Sequence, residues 1–377
     1  MARGWRSLVA VAAMALQPRA SSGPRSPATP GAQVQQALAR AVSAGSSSFT
    51  LPAGEIVFGK AVFSLQAARN FALRGSPTGT TTLLFAPGGG MRVAGCTNVT
   101  VSSVTIDYDP APFAQLTIDR VVSSAEGCCT PPGSGSAWCS APPSACCNAT
   151  YEVSLHPRSH TIAGFPTGLL DASHHTRSEV WTSQGVMTFP WGAAAEVGVT
   201  SCHAPWPAAT EALGPLRFRL RMRPVRNASA GTILTYHGRE YLSYVVANSS
   251  LVVTEHVQIH SATGFAIVEL DGECGHTYRH VRVTRREDEK PLMIASNADS
   301  FHSNDCARGP TIEHCEFAHM MDDYINVHAT LFSVAGTSGQ KIELAMNRGL
   351  PVVGGAARAA LDMWETPPLC SPPLSCG

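Results

Sequence analysis

Leu251-Val252-Val253-Thr254-Glu255-His256-Val257-Gln258-Ile259 is echoed by His276-Thr277-Tyr278-Arg279-His280-Val281-Arg282-Val283, with Val281 standing 24 residues after Val257. A third echo, Pro310-Thr311-Ile312-Glu313-His314-Cys315-Glu316-Phe317, follows 34 residues further on, so the interval before it carries an insertion. The earlier Asn98-Val99-Thr100-Val101-Ser102-Ser103-Val104-Thr105-Ile106 has the same shape. Upstream, Phe49–Leu51, Ile56–Phe58, Phe71–Gly75, Thr82–Phe85, Met91–Val93, Val99–Val101 and Val104–Asp107 are further short alternating apolar runs, separated by Gly, Pro, Asn or Ser. Many short strands suit a sandwich, a barrel or a solenoid. Repetition at a fixed interval decides for the solenoid, an all-β parallel β-helix whose coils stack about 4.8 Å apart over a column of Val, Ile, Leu and Phe.

Outside this rhythm the chain divides into distinct segments. Residues 1–22 read as a signal peptide, with a basic start and a Leu8–Leu16 apolar core too short to span a bilayer. Residues 23–33 form a Pro/Ser/Gly-rich linker, and Gln35–Ala44 carries apolar residues at helical intervals. Residues 23–119 then hold the first coils. Residues 120–215 break the pattern with Cys128, Cys129, Cys139, Cys146, Cys147 and a Pro/Ser/Gly run, and read as a disulfide-rich inserted β subdomain. Coils return over 216–335, and 336–377 is an irregular tail.

Twelve cysteines without a CxxC pair in the dense cluster favour disulfides over zinc, and with four Asn-x-Ser/Thr sequons they favour a secreted protein or one of the secretory pathway and cell surface. Only 14% of residues are charged and the net charge is zero, which removes the electrostatic footprint of a nucleic-acid or anionic-membrane binder. No stretch reads as a membrane span. The expected partner is neutral.

Acidic and imidazole groups gather in Asn297-Ala298-Asp299-Ser300-Phe301-His302 and Met321-Asp322-Asp323-Tyr324-Ile325-Asn326-Val327-His328. Equivalent positions on adjacent coils would set the carboxylates roughly 5–10 Å apart, where like charge raises at least one pKa and divides them into acid and base, as glycoside hydrolysis requires. Alternation turns Ile325 and Val327 into the core and Tyr324, Asn326 and His328 outward, and a carboxylate's aversion to burial places the Asp pair in the turn before that strand. The competing reading is of solvated turn residues that cap or bend strand ends. His260, His276, His280, His314 and His319 are expected to be exposed or turn histidines rather than ligands.

Asn297-Ala298-Asp299, Cys306, Arg308-Gly309, Ile312–Phe317 and Met321–His328 together resemble the signature of family 110 glycoside hydrolases, the exo-acting α-1,3-galactosidases. Val104–Gln115, with Asp107-Tyr108-Asp109-Pro110, resembles a second segment of that family. The resemblance covers roughly residues 30–115 and 217–332. It implies a right-handed, pectate-lyase-like parallel β-helix, an inverting exo-hydrolase of terminal α-1,3-linked galactose on glycans, and no metal or other cofactor. By position it makes Asp322 the general acid, with Asp299 and Asp323 as candidate bases. His302, Tyr324, Asn326 and His328 are the candidate sugar-binding residues. Ser300 stands where the family has Gly, and Ala307 precedes Arg308-Gly309, which predicts a differently shaped loop after Asp299. The family continues with further coils beyond the Asp pair, so a complete catalytic set in an incomplete pocket is expected. The alternatives are a polygalacturonase-like hydrolase, although no Gly-His-Gly or Arg-x-Lys follows Asp323, and a secreted, non-catalytic glycan-binding β-helix.

Overall fold

The computed structural model describes residues 29–123, 149–159, 177–181, 187–188, 209–222, 225, 228–237, 242–286, 292–329, 332–338, 341–346 and 359–362. The leader and the cysteines at 128, 129, 139, 146 and 147 lie outside these residues. Among them no helix is long and apolar enough to cross a membrane.

The short strands are all-β and pair in parallel, in three columns that the chain visits in the same order on every circuit. One circuit runs Gly90–Ala94, Thr97–Ser102 and Thr105–Tyr108; the next runs Tyr244–Ala247, Ser250–Glu255 and Gln258–Ile259. Two more follow, through Ile267–Cys274, Thr277–Arg279 and Arg282–Val283, then Phe301–Arg308, Thr311–Glu313 and Glu316–Phe317. Ile325–His328 adds a further strand against Phe301–Arg308.

The parallel register follows from the 24-residue echo, because each repeat sets like residues over like. Ile56, Leu83, Ile106, Ile259, Val283 and Phe317 stack in one column. Phe63, Met91, Tyr244, Ile267, Phe301 and Ile325 stack in another. The alternate positions face away, which gives the buried–intermediate alternation along Thr81–Phe85. These columns form the main core, and burying each large apolar side chain contributes about 1.5–3 kcal/mol. Several polar groups inside the stack are paired: the Tyr244 hydroxyl lies 2.9 Å from Thr254 Oγ1, and Ser303 and Tyr278 both donate to the buried Glu269 carboxyl, whose pKa burial raises.

The helix runs Gly31–Ser43, four residues earlier at its start than its apolar spacing predicts. It buries Val34 and Leu38 against the first coils, while Gln35 both donates to and accepts from the Ser64 backbone. At the second residue of the strands Arg69–Arg74 and Thr97–Ser102, Asn70 and Asn98 share left-handed backbone, and Asn98 donates to Asn70 at 2.7 Å.

An antiparallel sheet interrupts the circuits. Phe113–Ser123 is flanked by Ala149–Leu155 and Ile233–His237, and the sheet extends through Arg217–Met222 and Arg177–Trp181, so its strands reach beyond the 120–215 interval on both sides. It has its own core around Leu116, Ile118, Tyr151, Leu220 and Tyr236. Phe332–Ser338, Lys341–Met346 and Ala359–Asp362 form a separate antiparallel sheet.

His276 and His260 lie in the breaks between strands, in keeping with the turn alternative, but they are buried, because their rings serve as backbone partners. The Val252 N–H donates to His276 Nδ1 at 3.1 Å, and His260 Nδ1 lies 2.6 Å from the Thr284 carbonyl. Burial lowers both pKa values, that of His276 to about 4. His280 and His314 are exposed, as expected.

Candidate active site

The three aspartates sit in the bends that lead into two stacked strands. Register pairs Phe301 with Ile325, which makes Asp299 and Asp323 equivalent residues of successive circuits and puts Asp322 one step earlier. Backbone bonds hold the two bends together: Met321 N–H donates to the Ser296 carbonyl, Ser300 N–H to that of Asp323, and Phe301 N–H to that of Tyr324. Carboxylate oxygens of Asp299, Asp322 and Asp323 come within 4.8 Å of one another. That is closer than the roughly 5–10 Å that coil stacking alone suggests. Asp322 and Asp323 stay ahead of the strand and exposed, whereas Asp299 is buried.

Two neighbours orient these groups. His302 Nδ1 lies 2.7 Å from Asp299 Oδ2, and Asn326 Nδ2 donates to Asp323 Oδ2 at 3.1 Å. His302 and Asn326 are themselves register partners on the outward face, and the His328 ring stands edge-on to that of His302, with their Nε2 atoms 3.0 Å apart. Tyr324 is 64% exposed and makes no side-chain contact with these groups among the bonds described. The site thus brings together Asp299, Asp322, Asp323, His302, Asn326 and His328, and leaves Tyr324 at its edge.

The expectation for Ile325 and Val327 needs adjustment. They stack over the buried Phe301 and Ser303, as alternation requires, yet are 47% and 56% exposed. Their strand pairs on one side only, and no further rung covers them, among the described residues.

The segment beneath the site comes from far away in sequence. Asn297 Nδ2 donates to the carbonyls of Pro112 and Thr263, and Met293 N–H donates to Gln115 Oε1. Val104–Gln115 and Asn297–Asp299, 185 residues apart at the Pro112–Asn297 bond, therefore meet under the carboxylates. Asp107 is buried there, and its Oδ2 is bonded to Arg286 at 2.9 Å and to Arg158 at 3.1 Å. Burial drives the Asp107 pKa up, and the two guanidinium groups pull it back down. Its partners make it a structural ion-pair anchor.

Sequence reasoning did not single out Asn297 or Phe265 as parts of the site. The Phe265 ring packs 4.4 Å from His302 and fixes that imidazole from behind. Asn297 was legible in the Asn-x-Asp spacing, but nothing local marks Phe265, which reaches the site through coil stacking.

Chemically, the three converging carboxylates could divide acid and base roles or hold a hard cation through oxygen ligands, although exposed acidic groups commonly carry no ion. Their oxygens lie closer than both the roughly 6.5–9.5 Å between carboxyl groups in inverting glycosidases and the about 5–5.5 Å in retaining ones, so separation does not select a stereochemistry.

No family model matches the chain. Over 123 residues, 32% of this chain, it is 30% identical to a protein named alpha-1,3-galactosidase A from Bacteroides fragilis (strain YCH46). The chain spans about a fifth of that relative's length. The match is distant and partial.

Proposed function

We propose that this protein is a secreted glycoside hydrolase that removes terminal α-1,3-linked galactose from glycans with inversion, on a right-handed parallel β-helix. The observation that carries the reading is the convergence of Asp299, Asp322 and Asp323 from successive circuits, one buried and two exposed. The partial likeness to an α-1,3-galactosidase supports the choice of sugar and linkage. Right-handedness accords with the strong preference of parallel crossovers for that hand, and the Cys274–Cys306 disulfide accords with secretion.

In this reading Asp322, the exposed carboxyl ahead of the strand, protonates the glycosidic oxygen as the bond to galactose breaks. Asp299, held by His302, and Asp323, held by Asn326, orient a water and take its proton as it attacks the anomeric carbon from the opposite face. His302, Asn326 and His328 offer ring nitrogens and an amide to sugar hydroxyls, and Tyr324 offers an aromatic rim. The binding surface is neutral apart from its acids, which suits an uncharged galactoside better than a polyuronate.

The test is hydrolysis of an α-1,3-galactosyl oligosaccharide by the purified full chain, with the anomer of the released galactose read by NMR. Release of β-galactose, lost in Asp322→Asn, is expected. Tight glycan binding without turnover would overturn the enzyme reading in favour of a glycan-binding β-helix, and release of α-galactose would overturn inversion.

A further inference from the structure

His302 and His328 carry an arrangement that sugar binding does not require. His302 Nδ1 faces Asp299 Oδ2 at 2.7 Å, which fixes the tautomer: Nδ1 carries the hydrogen toward the carboxylate and Nε2 presents its lone pair. His328 Nδ1 makes only a long, 3.4 Å contact with the carbonyl of its neighbour Ala329, while its Nε2 lies 3.0 Å from His302 Nε2, within hydrogen-bond reach of that lone pair. An N–H on His328 Nε2 closes this gap as a hydrogen bond, and when that hydrogen is given up the two Nε2 atoms present a pair of ligand nitrogens 3.0 Å apart. A cation could therefore take the place of the shared hydrogen.

The separation fits a metal. Two imidazole nitrogens each about 2.0–2.1 Å from one ion subtend an angle of about 91–97° when they are 3.0 Å apart, near the cis angle of tetragonal or octahedral coordination. The carboxylate behind His302 reproduces the buttress by which metal-ligating histidines are oriented and made more basic. His328 is exposed and His302 partly so, which leaves the remaining coordination positions open to water. Asp322 and Asp323 add negative potential beside the entry.

We propose that His302 and His328 form a two-imidazole binding site for a transition-metal dication of the Ni2+, Cu2+ and Zn2+ class, with Asp299 as the supporting carboxylate. Ligation is distinct from the stacked His256, His280 and His314 rings. Those lie nearly parallel with centroids 4.8 and 5.2 Å apart, a face-to-face stack that points no two ring nitrogens at a common ion. Occupancy would recruit Asp299 as a ligand support and withdraw it from water activation, so the metal is expected to inhibit galactoside hydrolysis; this last consequence rests on the proposed function.

Calorimetric titration of the chelator-stripped full chain with Ni2+ at neutral pH tests the site. One equivalent is expected to bind, with affinity reduced at least tenfold in His302→Gln and in His328→Gln. Asp299→Asn keeps both ligands and is expected to weaken binding about 10- to 100-fold through loss of the buttress. His280→Gln is expected to leave the affinity unchanged. Far-UV circular dichroism of each variant confirms the fold. No saturable binding up to millimolar Ni2+, or equal affinity in the wild type and both site variants, overturns the inference, as does loss of the equivalent in His280→Gln alone. The titration contains no substrate, so a failed hydrolysis assay leaves this result readable, and a failed titration leaves the hydrolase reading intact.

Discussion

His276 gives the chain a calculable weakness to acid. Its ring is buried, it accepts the Val252 N–H at Nδ1, and its Nε2 has no hydrogen-bond partner. Burial holds its pKa at about 4, below the roughly 6.5 of a histidine in an unfolded chain. The folded pKa is depressed for a base, so the native state binds fewer protons than the unfolded one between those values, and stability falls as pH falls. The loss begins near pH 6.5, reaches about 2 kcal/mol at pH 5 and about 3 kcal/mol at pH 4, and levels off below that. His276→Gln keeps an acceptor for the Val252 N–H and removes the titration. Urea unfolding of the wild type and this variant at pH 7, 6, 5 and 4 isolates the contribution: the wild type loses stability relative to the variant by those amounts. A stability difference that stays flat from pH 7 to pH 4 refutes the reasoning.

Three further outcomes are expected. Asp322→Asn lowers hydrolysis of an α-galactoside by about 10²–10⁴-fold with an unchanged circular dichroism spectrum, as removal of a general acid should. Replacing Cys274 and Cys306 together by Ser opens a cross-link with a sequence separation of 32 and lowers stability by about 2–4 kcal/mol, read by denaturant unfolding. Asn297→Ala removes the bonds to Pro112 and Thr263 and leaves one buried and one part-buried carbonyl short of a donor, which costs about 1–3 kcal/mol; because Asp299 is two residues on, hydrolysis is expected to fall more steeply than stability.

Much of the parallel stack was legible because its cause is local. The 24-residue echo between Val257 and Val281 becomes the register of Gln258 with Arg282, and the 34-residue interval becomes that of Arg282 with Glu316. The alternation in Val62–Gln66 was equally readable, with Phe63 and Leu65 inward, but that strand was not drawn out. The bend ahead of Ile325 was predictable because Asp322 and Asp323 would otherwise enter a strand with one carboxylate inward. What sequence could not supply was pairing between distant segments. The Pro112–Asn297 bond, the Phe265 ring behind His302 and the ion pairs of Asp107 depend on where an interrupting sheet returns the chain. The exposure of Ile325 and Val327 was hidden for a related reason, since burial of an inward side chain depends on the rung above it. The burial of His276 was not legible because a buried and an exposed turn imidazole share the same flanking residues.

The Cys274–Cys306 bridge divides the candidate site in an unexpected place. A stack in which each rung touches only its neighbours can unzip from an end, one rung at a time. The bridge staples the rung of Ile267–Cys274 to that of Phe301–Arg308, and Asp299 enters the stapled rung directly. Asp322 and Asp323 belong to the next rung, outside the staple. Fraying that begins at Ile325–His328 would carry the acid away from the buried base while the stapled rungs stay zipped. Inactivation on warming should therefore run ahead of the loss of circular dichroism, and backbone amides at 325–328 should exchange hydrogen well before those at 301–306.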